Sequence, residues 1–68
     1  MIVVHRLTHP DAPLYLNPDQ IQMVEGNPDT VITLTNGSKF VVGERPSEIA
    51  QLIRRWRSSI LTDVPRVA

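Results

Sequence analysis

The chain has 68 residues, with seven basic and seven acidic side chains and a formal net charge of zero. This balance gives no global attraction to nucleic acid or to an anionic membrane. The absence of cysteine excludes a disulfide framework and a zinc–thiolate site. No apolar run approaches the roughly 20 residues of a membrane-spanning helix, and the first residues carry no signal-peptide cleavage pattern. We therefore expect a small, soluble, cytoplasmic protein.

The first part of the chain predicts short strands separated by turns. Three runs rich in β-branched or other apolar residues predict strands over residues 2–7, 14–16 and 21–25. Residues 8–13 predict a loop, because Pro10 and Pro13 each remove a backbone donor from a strand ladder. In a regular strand, the third run would place Ile21 and Met23 on one side of the sheet and Gln22 and Val24 on the other.

A β-hairpin is predicted over residues 30–42, because Asn36-Gly37 separates two runs of strand-forming residues. Asn-Gly fits a two-residue type I′ turn, in which both central residues have positive φ. In that register Thr33 lies opposite Phe40 and Ile32 opposite Val41. Directly opposite residues share a face. Two apolar faces follow: Ile32, Leu34 and Val41 on one, and Val31, Phe40 and Val42 on the other.

The two apolar faces of this hairpin also predict a second covering layer. A single helix can cover only one face, and leaving several large apolar side chains in water forfeits roughly 1.5–3 kcal/mol for each. A homo-oligomer would bury equivalent patches against each other. The alternative is that the N-terminal strands fold over the hairpin into a small barrel and leave a monomer.

A C-terminal amphipathic helix is predicted from Pro46 onward. Apolar residues recur at helical spacing within an arc of about 100°: Ile49, Leu52, Ile53, Trp56 and Ile60. Proline suits the first helical position, where its missing N–H is not needed. Ile53 and Trp56 are expected to contact the sheet and Arg55 to be exposed. Residues 1–61 then form one domain, and residues 62–68, which include Pro65, form a flexible tail.

Three arginines, Arg54, Arg55 and Arg57, lie off the apolar arc of this helix. They indicate either a contact surface for an acidic partner or for nucleic acid, or a solvated helix surface. Their directions spread over about 160° at 100° per residue, which is too wide for a single line of phosphates. Together with Phe40 and Val42 they make up the predicted interaction surface.

The residue types that commonly act in catalysis or metal binding form no recognisable motif in this sequence. His5 and His9 are the only imidazoles, and although Asp11 lies near His9, no third metal ligand and no nucleophile accompanies them. Both histidines are predicted to be ordinary surface residues. The acidic residues are scattered through turns, and the three glycines form no phosphate-binding loop. The sequence therefore predicts no enzyme, no catalytic residue, no metal site and no cofactor.

Several segments together carry a family resemblance. They are an N-terminal Met-Ile-Val strand ending in Arg6-Leu7, then LYLNPD at residues 14–19, Ile21, PDTVITL at residues 28–34, Asn36-Gly37, Val41-Val42 and Glu44, followed by the helix. On these residues the chain resembles the FlbD/SwrD family of small flagellar proteins. The proline-rich residues 9–13 depart from the compact glycine-containing turn that is usual there.

The resemblance implies a cytoplasmic protein near the flagellar base that supports motility or motor power without catalysis. Its expected partners are flagellar motor or assembly proteins, and no binding residue can be transferred from the family. The expected fold is α+β, a small antiparallel sheet of four to five short strands with one C-terminal amphipathic helix. The alternative function is a small nucleic-acid-binding regulator that uses the arginine-bearing helix, an analogy at the level of fold.

Overall fold

The computed structural model describes residues 1–63, with side chains described for residues 1–59. The elements are β1 (Ile2–Arg6), β2 (His9–Leu16), a single 3₁₀ turn (Pro18–Gln20), β3 (Ile21–Gly26), β4 (Thr30–Leu34), β5 (Lys39–Val42) and α1 (Pro46–Asp63). All paired strands are antiparallel, in the order β2-β1-β5-β4-β3. One residue pair, Arg6 with Val42, joins the β1–β2 hairpin to the three-stranded β3–β4–β5 meander. The predicted α+β fold is confirmed.

The hydrophobic core lies between one face of the strands and α1. Its buried hydrophobic side chains are Ile2, Val4, Leu16, Ile32, Val42 and Ile49. Partly buried side chains from the sheet and helix pack against them, among them Leu52, Ile53 and Trp56. Arg55 is exposed. The predicted orientation of the helix, with Ile53 and Trp56 toward the sheet, is confirmed.

The segment over residues 8–13 is not the predicted loop, because β2 begins at His9 and includes both of its prolines. β2 is an edge strand of the sheet. An edge strand has one side without a pairing partner, so a missing N–H on that side costs no ladder bond. Pro13 lies opposite His5, and the register shifts by a bulge between His5 and Arg6.

A β-bulge at Gln22 also changes which residues of β3 face the core. Ile21 pairs with Leu34 and Met23 with Thr33, so the register shifts between them. The extra residue places both Ile21 and Val24 against the core, whereas Met23 is 46% exposed. The prediction that Ile21 and Met23 share one side of the sheet is therefore wrong, because a bulge interrupts the simple alternation.

The β4–β5 turn has three loop residues, Thr35 to Gly37, rather than two. The Leu34 N–H donates to the Ser38 carbonyl at 2.8 Å, and the Gly37 N–H donates to the Leu34 carbonyl at 2.9 Å. Gly37 has a φ of 91°, as predicted, but no non-glycine residue in the described range has positive φ. Asn36 therefore cannot occupy a type I′ position. Its Oδ1 instead accepts the Ser38 N–H at 2.9 Å.

The longer loop shifts the β4–β5 register by one residue and reverses the faces of β5. The observed pairs are Thr30 with Val42, Val31 with Val41, Ile32 with Phe40, and Thr33 with Lys39. A one-residue slip moves every side chain to the other face. Phe40 and Val42 therefore join Ile32 on the helix side, and Val41 points away from the helix. The predicted apolar face of Val31, Phe40 and Val42 does not exist.

The start of α1 is fixed by local hydrogen bonds. The Arg45 carbonyl accepts the Ile49 N–H at 3.0 Å, and Glu48 Oε1 accepts the Arg45 N–H at 3.0 Å. Such a glutamate three residues into a helix satisfies a backbone donor at its start. The helix extends to Asp63, and residues 64–68 of the expected tail lie outside the described range. Within that range, no helix combines the length and apolar character needed to cross a bilayer.

Candidate functional site

A histidine–carboxylate pair joins the end of β1 to the segment between β5 and α1. The Gly43 N–H donates to the His5 carbonyl at 2.8 Å, which draws the residue after Gly43 alongside β1. Glu44 Oε1 then accepts the His5 backbone N–H at 2.9 Å, and Glu44 Oε2 lies 2.6 Å from His5 Nδ1. The Glu44 carboxylate thus accepts the His5 backbone N–H, as a carbonyl of a neighbouring strand would, and its second oxygen orients the imidazole ring.

The environment of Glu44 lowers the pKa of its carboxyl below the usual value. Its side chain is 17% exposed. Partial burial raises the pKa, but the hydrogen bonds from the His5 ring and backbone together outweigh that effect. A group whose pKa is lower in the folded state stabilises the fold above its unfolded pKa. Its contribution is lost as the pH falls through the lower, folded-state value.

Replacing Glu44 with glutamine is expected to lower the free energy of unfolding at pH 7 by about 1 kcal/mol, because a charged acceptor of two hydrogen bonds is lost. The difference from the wild type should shrink as the pH falls below the unfolded value of 4.5, because the wild-type carboxyl then becomes neutral too. Denaturant titrations across that range measure both effects. Asp11→Asn, on an exposed residue of the edge strand, is the control. A pH-independent difference would contradict this account of the pair.

The two histidines have different environments in the structure. His5 is half-buried and bonded to Glu44, so the prediction that it is an ordinary surface residue is wrong. His9 is exposed, and its Nδ1 lies 3.1 Å from the Thr8 hydroxyl oxygen. Among the described residues, no group of three or more histidine, cysteine, aspartate or glutamate side chains could hold a metal ion. The two His5–Glu44 hydrogen bonds link β1 to the segment that precedes α1.

The three predicted arginines, Arg54, Arg55 and Arg57, are all exposed on α1. Along the chain they flank Trp56, which is half-buried and packs against the core. Within the described range, His5–Glu44 is the one contact within 4.0 Å between a basic and an acidic side chain, so no carboxylate of the described part neutralises these guanidinium groups. Among the described side chains, the arginine-bearing surface of α1 therefore carries positive charge without a partner carboxylate.

The two other members of the predicted interaction surface lie elsewhere. Val42 is 1% exposed and belongs to the core, so its side chain is not available at the surface. Phe40 is partly buried against the core, and the guanidinium carbon of Arg6 lies 5.4 Å from its ring centroid. This distance is typical of a cation–π contact. Arg6 was missed at the sequence level because its partner is 34 residues away, on a strand that pairs with β1 by one residue pair.

A second candidate surface is the sheet face that points away from α1. Met23 and Val41 are 46% and 42% exposed, and their chain neighbours Val24 and Val42 pack into the core. On the β1–β2 hairpin, Tyr15 is 63% exposed. Exposed apolar side chains that cluster on one face commonly mark interaction sites.

The comparison with protein families identifies the chain at the family level. The FlbD family model, described as flagellar and swarming motility proteins, matches residues 1–61. The chain belongs to the FlbD family. This match covers most of its 68 residues and confirms the resemblance seen in the sequence. No curated protein and no solved structure gives a significant match. The FlbD membership establishes a protein related to flagellar and swarming motility.

Proposed function

We propose that this FlbD-family chain is a non-enzymatic accessory protein that supports flagellar motor power, by contacting motor or assembly proteins in the cytoplasm near the flagellar base. The observation that carries the proposal is the family match over residues 1–61, which ties the chain to flagellar and swarming motility. A domain with two exposed candidate contact surfaces, one charged and one apolar, is suited to acting by binding.

The arginine-bearing surface of α1 is the proposed contact with the flagellar partner. Arg54, Arg55 and Arg57 are exposed, and the sequence has no acidic residue between Glu48 and Asp63. Unneutralised guanidinium groups attract a surface of opposite charge, raise the association rate and form bidentate bonds with carboxylates. The proposed partner therefore presents an acidic surface.

The same exposed arginines support the second candidate function, binding to nucleic acid. Two features favour a protein partner. The formal net charge of zero gives no general attraction to a polyanion. The arginine directions are also spread over about 160°, whereas a line of phosphates requires a narrower stripe. A salt-dependent, nuclease-sensitive interaction would distinguish this function from the first.

The experiment is an affinity capture from motile cells with and without nuclease, read by mass spectrometry. The wild-type chain should retain identified motor or assembly proteins, and nuclease should not change their amount. Replacing Arg54, Arg55 and Arg57 together with glutamine should reduce that recovery roughly tenfold or more, because complementary charge is lost. Replacing all three with lysine, which keeps the charge but not the bidentate geometry, is the matched control and should retain clearly more of the recovery than the glutamine variant.

Two results would contradict the proposal. Recovery of nucleic acid that nuclease abolishes would favour the regulator function. Recovery of motor proteins that is equal for the wild type and the glutamine variant would exclude the arginine-bearing surface as the contact. Circular dichroism should show that the variants fold, because all three side chains lie outside the core.

A further inference from the structure

On the outer face of the β3–β4–β5 meander, which points away from α1, the side chains form two rows across the strands. Cross-strand pairing aligns Glu25, Val31 and Val41 in one row, and Met23, Thr33 and Lys39 in the next. Directly opposite residues share a face, and these six alternate with side chains that face the helix. Leu7, whose backbone N–H donates to the Val41 carbonyl at 3.0 Å, is 48% exposed beside the first row.

The charges of this outer face stand at opposite corners. Glu25 is at the β3 end of one row and Lys39 is at the β5 end of the other, and both are exposed. From ordinary strand spacings their Cα atoms are about 12 Å apart across the diagonal. The two side chains form no ion pair within 4.0 Å in the described structure. Between them lie apolar side chains and Thr33, which is 8% exposed.

We propose that this outer face binds a second copy of the chain, with Glu25 of each copy paired to Lys39 of the partner subunit. A two-fold axis in the interface, perpendicular to the Glu25–Lys39 diagonal, places each carboxylate opposite the other copy's ammonium group. Such an axis makes the patch complementary to itself. Met23 and Val41 lie on the other diagonal, close to the axis, and pack against their counterparts.

The charge arrangement is what selects a second copy as the occupant. The patch carries one charge of each sign, so a single-sign partner surface would satisfy one corner and repel the other. A second copy satisfies both corners at once. The inference concerns assembly and does not depend on the proposed contact of α1 with flagellar proteins.

The test is the dimer dissociation constant of the full chain, measured by sedimentation equilibrium. The wild type should show a mass above the 7.7 kDa of one chain, rising toward twice that value with concentration. Glu25→Lys and Lys39→Glu should each weaken dimerisation roughly tenfold or more, since symmetry turns two attractive contacts into repulsive ones. Asp11→Lys, the same change of charge on an exposed residue of the far edge strand, is the control and should have no effect.

Mixing the two single variants gives a sharper result. A Glu25→Lys chain presents two lysines at the corners, and a Lys39→Glu chain presents two glutamates. Each should be largely monomeric by itself, whereas an equimolar mixture should form a heterodimer about as stable as the wild-type dimer. The doubly substituted chain, E25K/K39E, should also self-associate like the wild type.

Three outcomes would overturn the proposal. The first is a wild-type mass of 7.7 kDa at all concentrations, which would leave the face to a different partner. The second is a dimer whose dissociation constant neither substitution changes. The third is a mixture of the two variants that stays monomeric although both are folded by circular dichroism.

Discussion

Replacing Gly26 with alanine is expected to lower the free energy of unfolding by about 2 kcal/mol or more, as overpacked sites do. A Cβ at this position would lie 2.4 Å from Pro46 Cγ and 3.1 Å from its Cδ. The proline ring cannot rotate away because it is closed onto its own backbone. The first turn of α1 must therefore move away from the end of β3, which strains the packing of Ile49 in the core.

Gly43→Ala is the matched control, because its Cβ would meet only the His5 carbonyl oxygen, at 3.9 Å. Without a clash, a change from glycine to alanine is neutral or stabilises by up to about 1 kcal/mol, because it restricts the unfolded chain. Thermal and denaturant unfolding of both variants measure the difference. Equal stabilities of the two variants would show that Pro46 does not pack tightly against β3.

The β4–β5 turn shows how far local sequence determines a strand register. Gly37 is predictable, because a glycine in this context supplies the positive φ that the turn requires. The loop length is not, since Asn36-Gly37 fits a two-residue type I′ loop and also a three-residue loop that ends in a left-handed glycine. The choice is made by burial under α1, which places Phe40 and Val42 on the core side. That information lies in the tertiary structure.

Two other differences between the predicted and the observed strands also arise from the tertiary structure. Pro10 and Pro13 are compatible with a strand only if that strand is at an edge, and strand order is a property of the whole sheet. The bulge at Gln22 likewise interrupts the alternation of side chains that a regular strand would have. The helix was predictable because its periodicity is local. The arginines on it were therefore placed correctly at the surface.

The candidate site was only partly predictable. His5 and Glu44 are 39 residues apart, and no motif of fixed spacing connects them. Their contact follows from the pairing of β1 with β5, which brings Gly43 beside His5. The Glu25–Lys39 arrangement depends in the same way on the observed register, because the predicted one would place Lys39 opposite Leu34 and on the other face.

Loss of the protein is expected to reduce motility strongly while leaving growth unchanged. The proposed role is to support motor power, so cells should still carry flagella in normal number, but those flagella should generate less torque. The swarming rate should fall more than the swimming rate, because movement over a surface demands more power from the motor. A plasmid-borne wild-type chain should restore both, and the glutamine variant of Arg54, Arg55 and Arg57 should restore neither if α1 makes the contact.

The most direct test of the central claim is the swarm expansion rate of a clean deletion strain, measured beside its growth rate in liquid culture. The account predicts a marked loss of swarm expansion at an unchanged growth rate, reversed by the wild-type chain. Normal swarming and swimming of the deletion strain would contradict the claim that this FlbD-family protein supports the flagellar motor.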